Sequence, residues 1–208
     1  MTRCKCYGIE QAKRIWDNAG INTEQAQQTF SNYKEWNESS KNAKDIAIKY
    51  YQNFSEIKDL KQNSICFIGQ VGSGKTHLSI ALAVNFLKKS IAVVYMPYRE
   101  VITKLKQNIT DEKYYQKQLD KYKNARVLLV DDLFKGKITE SDINIIFEII
   151  NYRYLNQSPI IVTSEHNSKE LLDIDEGIGS RLLQMCKNYM VEIEGKENNY
   201  RLKESLNG

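Results

Sequence analysis

The chain has 208 residues, 41% of them hydrophobic, and a net charge of +4 from 30 Lys and Arg against 26 Asp and Glu. That length suits one α/β domain with a small appendage. With no run of 18 apolar residues and no apolar segment after Met1-Thr2-Arg3-Cys4-Lys5-Cys6, nothing marks it for a membrane or for export, so a cytoplasmic protein is expected. Four cysteines do not make a disulfide framework: Cys66 and Cys186 read as buried thiols, and Cys4 and Cys6 are half of a zinc site whose other half the chain does not offer.

In chain order, residues 8–20 suit a short helix ending near Gly20, and Asn22 or Thr23 can cap a further turn. Residues 40–58 place Ala43, Ile46, Ala47, Tyr50, Tyr51, Phe54 and Ile57 at helical spacing, with Ser39 or Ser40 as the expected cap. Strands and helices then alternate. Strands are predicted at 64–69, 91–96, 126–130, 160–164 and 189–193, and helices at 75–89, 98–108, 111–123, 140–156, 168–173 and 176–187. Near-continuous Val/Ile/Leu strands in this rhythm argue a parallel sheet covered on both faces. The division expected is an N-terminal helical extension over 1–60 and an α/β domain over 61–208.

Residues 69–76, Gly-Gln-Val-Gly-Ser-Gly-Lys-Thr, form a complete G-x-x-x-x-G-K-[ST] loop between a strand and a helix. Gly69, Gly72, Ser73 and Gly74 would turn the backbone so that its N–H groups cradle phosphates. Lys75 would reach the β- and γ-phosphates of ATP, Thr76 would meet Mg2+, and His77 follows at the helix start. Val127-Leu128-Leu129-Val130-Asp131-Asp132 ends a strand in two carboxylates. Alone, that pair also suits a helix cap or a turn. With the loop 55 residues before Asp131, it reads as the Mg2+ carboxylate (Asp131) and a water-orienting one (Asp132). Aspartate there is one methylene shorter than glutamate, which predicts slow or partner-dependent hydrolysis. Ser164, ending Ile160-Ile161-Val162-Thr163-Ser164, either bonds the attacking water or γ-phosphate or simply begins a loop. Arg181 is either a surface residue or a finger completing a neighbour's site.

The stretch from Arg99 to Arg126 carries eight basic residues against four acidic ones. They include Lys104, Lys106, Lys113, Lys117 and Lys121, interleaved with Tyr114 and Tyr115.

The phosphate loop, Leu129-Val130-Asp131-Asp132-Leu133, Ile161-Val162-Thr163-Ser164 and Gly179-Ser180-Arg181-Leu182 together resemble the AAA+ helicase-loader family typified by DnaC and DnaI, over about residues 10–203. The resemblance implies a five-stranded P-loop sheet in the order 5-1-4-3-2, no full C-terminal lid domain, and binding of ATP and Mg2+. It also implies single-stranded DNA and a hexameric replicative helicase as partners, with self-association into a ring or spiral on DNA. Through it, Lys104, Lys106, Lys113, Lys117 and Lys121 become candidate contacts to phosphates and Tyr114 and Tyr115 to bases, the alternative being a solvated helix pair. By it, Ser164 becomes a sensor of the γ-phosphate, Arg181 an arginine finger, Arg201 a weaker candidate, and residues 1–8 a shortened helicase-binding region. An IstB-type transposition helper shares the same core. A nucleotide kinase fits less well, because the seven arginines (3, 14, 99, 126, 153, 181 and 201) are scattered rather than gathered in a lid. An ATP-binding module without turnover also remains.

Overall fold

The computed structural model describes residues 14–206; Cys4, Cys6 and the segment 1–8 lie outside them. Residues 14–19 are helical, and Gln25–Gln27 form a single 3-10 turn. Asn22 takes the expected capping part: its Oδ1 accepts from the Gln25 amide at 2.8 Å, and its own amide returns a bond to Gln25 Oε1. The first long helix, α1 (Glu38–Ile57), starts two residues earlier than predicted. Its cap is Asn37, not Ser39 or Ser40. Asn37 accepts from the Ser40 amide, and the Ser40 hydroxyl accepts from the Asn37 amide, a reciprocal box that satisfies two donors at once.

The rest alternates as β1 (Ile65–Gly69), α2 (Lys75–Lys88), β2 (Val93–Pro97), α3 (Tyr98–Gln107), α4 (Glu112–Lys123), β3 (Val127–Leu133), α5 (Glu140–Leu155), β4 (Ile160–Ser164), α6 (Ser168–Ile174), α7 (Glu176–Met185), β5 (Met190–Ile193) and α8 (Tyr200–Leu206). The five strands are all parallel, in the order β2-β3-β4-β1-β5, the order the resemblance implies. Strand periodicity divides the core. Ile65, Phe67, Leu129 and Ile161 pack under α1 and α2, whereas Cys66, Ile68, Leu128, Val130 and Val162 pack under α3, α5 and α7. Cys66 and Cys186 are buried free thiols, as read from sequence.

β3 is longer than predicted, because β4 side chains hold its end. The Asp132 amide donates to Thr163 Oγ1 at 2.8 Å, and Ser164 Oγ donates to the Leu133 carbonyl at 2.8 Å. The register slips between Val130 and Leu133, and Asp132 takes φ 56°. After β5 the described chain continues as a 3-10 turn (Lys196–Asn198) and the short α8, with no helical lid domain among the described residues.

Candidate nucleotide-binding site

The carboxyl ends of β1, β3 and β4 converge on one cavity of about 470 Å³, within the usual range for small-molecule sites. Its floor is the loop 69–76. Gly69 has φ +96°, and a Cβ there would lie 2.2 Å from the Ile193 carbonyl oxygen of β5. The Gly69 amide donates to the His166 carbonyl, and the Gln70 amide to Ile193, so the loop is tied to the exits of β4 and β5. Gly74, at φ +87°, meets the Tyr33 ring, which a Cβ would approach to 2.8 Å. Gly74 is also the N-cap of α2. It brings no side-chain cap, and no acidic residue occupies the first turn. The first-turn amides of a 14-residue helix therefore face the cavity with their positive dipole end, a ready anion site.

Lys75 is buried and folds back onto the loop, its Nζ donating to the Gly69 and Gln70 carbonyls at 2.8 and 2.6 Å. Burial pushes its ammonium down to about 8, with the Glu165 and Asp132 carboxylates opposing. Asp131, 6% exposed, is ringed by hydroxyls. Thr76 Oγ1 and Thr163 Oγ1 donate to its Oδ1 at 3.0 and 2.6 Å, and the Tyr95 hydroxyl donates to Oδ2 at 3.0 Å. Burial raises the Asp131 carboxyl, and these three donors only partly reverse it. One hydroxyl beside one carboxylate is a hard-oxygen pair that suits Mg2+, which takes one or two protein ligands and completes its shell with phosphate and water.

Asp132 turns its carboxylate to Lys135 Nζ at 2.8 Å, and the same ammonium pairs with Glu165 at 2.9 Å. Both carboxylates line the cavity. Ser164 does not. It is fully buried, donates to Leu133 and accepts from the His166 amide, so the hydroxyl expected to sense a phosphate instead locks β3 to β4. His77 lies on the wall, but its Nε2 donates to the Thr29 carbonyl and Asn32 Oδ1, tying α2 to the N-terminal stretch. Burial lowers the His77 pKa. Tyr33, Tyr200 and Arg201 complete the walls.

Arg181 lies apart from this cavity. Its guanidinium donates to the Gly177 carbonyl and Asn151 Oδ1, and stacks over the Phe147 and Tyr154 rings at 5.1 and 5.5 Å. The basic stretch divides in two. Lys113, Lys117 and Lys121 are exposed at four-residue spacing along one face of α4, with Tyr114 half-buried beside them. Lys106 instead pairs at 2.8 Å with Asp142, which is fully buried, and the half-buried Tyr115 packs against the core. Those two are structural, and Lys104 is shared with Glu100 at 2.6 Å. Sequence reading missed Tyr95, Lys135 and Glu165, and took Thr163 only for a strand end. Tyr95, Thr163 and Glu165 have no local signature and acquire their neighbours through strand register, as where Pro97 of β2 pairs with Asp131, while Lys135 sits in the turn after β3, three residues from Asp132.

The sheet order, loop and carboxylate strand define an AAA+ P-loop NTPase fold. The family described as IstB-like ATP binding protein matches residues 13–208, and the chain belongs to it. It is 38% identical over 201 residues to the protein YqaM of Bacillus subtilis (strain 168), covering 93% of this chain and 63% of that protein. It is 35% identical over 211 residues to the phage-like element PBSX protein XkdC of the same organism, covering 97% and 78%. A solved DnaC helicase loader superposes with TM-score 0.67 at 25% identity, covering 88% of this chain and 99% of that one.

Proposed function

We propose that this protein is an ATP-dependent loader of a replicative DNA helicase that binds ATP with Mg2+ and contacts single-stranded DNA. The observation that carries the reading is the buried Asp131, 3.0 Å from Thr76 Oγ1, beside the uncapped N-terminus of α2. The loop amides and Lys75 would hold the triphosphate, Lys75 leaving the Gly69 and Gln70 carbonyls to do so. Thr76 and Asp131 would hold Mg2+, which when bound spreads the charge developing on the phosphates. Asp132 is held in an ion pair with Lys135, which supports slow turnover that awaits DNA or a partner. Lys113, Lys117 and Lys121 would meet phosphates of the single strand. Arg181, held outside its own cavity, would leave the Gly177 carbonyl to serve a neighbouring copy in a ring or spiral. The likeness to the DnaC helicase loader supports the helicase as partner.

The second reading is a transposition-helper ATPase, favoured by the IstB-like family description. Retention of a hexameric helicase rather than a transposase separates the two.

The test is the ATPase rate with and without single-stranded DNA. Wild type should be stimulated, and Lys75→Ala should lose the activity. Lys113→Ala, Lys117→Ala and Lys121→Ala combined should keep the basal rate and lower the log–log salt slope of DNA binding by about 2, at about 0.7 per lost contact. A slope that does not move removes α4 as the DNA face.

A further inference from the structure

We propose that Glu165, rather than Asp132, is the catalytic carboxylate that orients and deprotonates the attacking water. This rests on reading the cavity as an ATP-hydrolysing site. The argument begins with alternation along β4. Thr163 turns its hydroxyl to Asp131, Ser164 turns to Leu133, and the next side chain, Glu165, returns to the cavity. The backbone on either side of Glu165 is pinned. Ser164 pairs in register with Ile68 of β1 and bonds Leu133; His166 accepts from the Gly69 amide and donates from Nε2 to the Phe134 carbonyl at 3.2 Å. The residue therefore stands on two fixed points, one of them the first glycine of the phosphate loop. A reacting group needs that kind of support to hold its geometry.

Asp132 has the shorter side chain and starts from a bent backbone. Its φ of 56° lies in the left-handed region, its amide is bound to Thr163, and its short side chain is paired to Lys135. Glu165 is one methylene longer, opposes the lowering of the Lys75 ammonium more than Asp132 does, and shares Lys135 with it. Lys135 thus fixes both carboxylates at the edge of the cavity. In the step, a water oxygen forms a bond to the γ-phosphorus and its proton passes to Glu165. The bond from the γ-phosphorus to the bridging oxygen breaks, its electron pair leaving with ADP.

The experiment compares wild type, Glu165→Gln, Glu165→Asp and Asp132→Asn by single-turnover hydrolysis and by the Kd for a non-hydrolysable ATP analogue with Mg2+. Expected is a loss of at least about 100-fold in rate for Glu165→Gln, the usual scale for a general base, with analogue Kd held within about three-fold. Glu165→Asp should fall between, and Asp132→Asn should lose less than about ten-fold. A Glu165→Gln variant that keeps its rate while Asp132→Asn loses it overturns the proposal and returns the role to Asp132. Equal losses of rate and analogue affinity in Glu165→Gln overturn it too, making the residue a binding group. Wild type that binds the analogue but hydrolyses nothing instead defeats the ATPase reading beneath it.

Discussion

Thr163 shows how one hydroxyl organises the site. At 2.6 Å from Asp131 Oδ1, and accepting the Asp132 amide, it orients the first carboxylate and fixes the left-handed bend that presents the second. Removing it should weaken Mg2+ rather than nucleotide. Thr163→Val, which keeps the shape, should raise the Mg2+ concentration needed for half-maximal analogue binding by about ten-fold, the lower end for loss of a group that orients a metal ligand. Analogue binding measured in EDTA should hardly change, and an equal loss in both conditions would count against Asp131 as the Mg2+ carboxylate. At this scale the sequence was half legible. The phosphate loop carries its own signature, because turns, amides and Lys75 are local. That the end of β4 was polar was also plain. Which of Thr163, Ser164 and Glu165 faces the cavity depends on strand parity and register with β1 and β3, which a five-residue apolar run does not reveal.

Among the elements, α3 and α5 show why a lysine-rich stretch need not be a binding surface. Asp142 is the third residue of α5, closing a capping box with Thr139, and Lys106 of α3 reaches it at 2.8 Å. Burial works against its charge, but bonds from Lys106 and from the Thr139 amide and hydroxyl outweigh it and hold the carboxyl below its usual 3.8. The sign follows. A folded pKa below the unfolded one means the unfolded chain binds more protons between the two, so the stabilisation is full above pH 3.8 and disappears as pH falls through the folded value. Asp142→Asn should cost about 1 kcal/mol near neutral pH, or about 2–4 °C in Tm, the scale of a lost helix-terminal bond. The gap to wild type should narrow as pH is lowered below 3.8. A pH-independent gap in thermal melts would show that packing, not the charge, carries the effect. The charge pattern of 99–126 did not separate Lys106 from Lys113, Lys117 and Lys121, because its partner lies 36 residues further on.

Across the whole molecule, the two ends of the described chain meet at the phosphate loop. The Tyr200 amide donates to the Gly72 carbonyl, Lys34 Nζ to the Tyr200 hydroxyl at 2.7 Å, and Asn37 Nδ2 to Asn198 Oδ1 at 2.6 Å. The Trp36 ring lies 5.9 Å from that of Tyr200, with Lys203 Nζ 5.2 Å above it. The N-terminal stretch also reaches the Asp131 carboxylate, through Gln25 to the Tyr95 hydroxyl and on to Asp131 Oδ2. Contacts across 161 and 166 residues leave no mark in sequence, which is why the helical extension reads as an appendage there and as a wall of the cavity in the fold. If nucleotide binding rearranges the phosphate loop, the bond from the Tyr200 amide to the Gly72 carbonyl is where the change would reach Tyr200, and so Trp36. The chain has two tryptophans, so Trp16→Phe leaves Trp36 as the sole indole reporter. Its emission should change on adding the ATP analogue, with a midpoint equal to the independently measured Kd, and Lys75→Ala should move that midpoint to higher concentration. Tyr200→Ala, by removing the ring against Trp36, should shift the nucleotide-free emission to the red and blunt the response. Emission indifferent to saturating analogue would show that the meeting of the two ends is a static brace, not a sensor of the site beneath it.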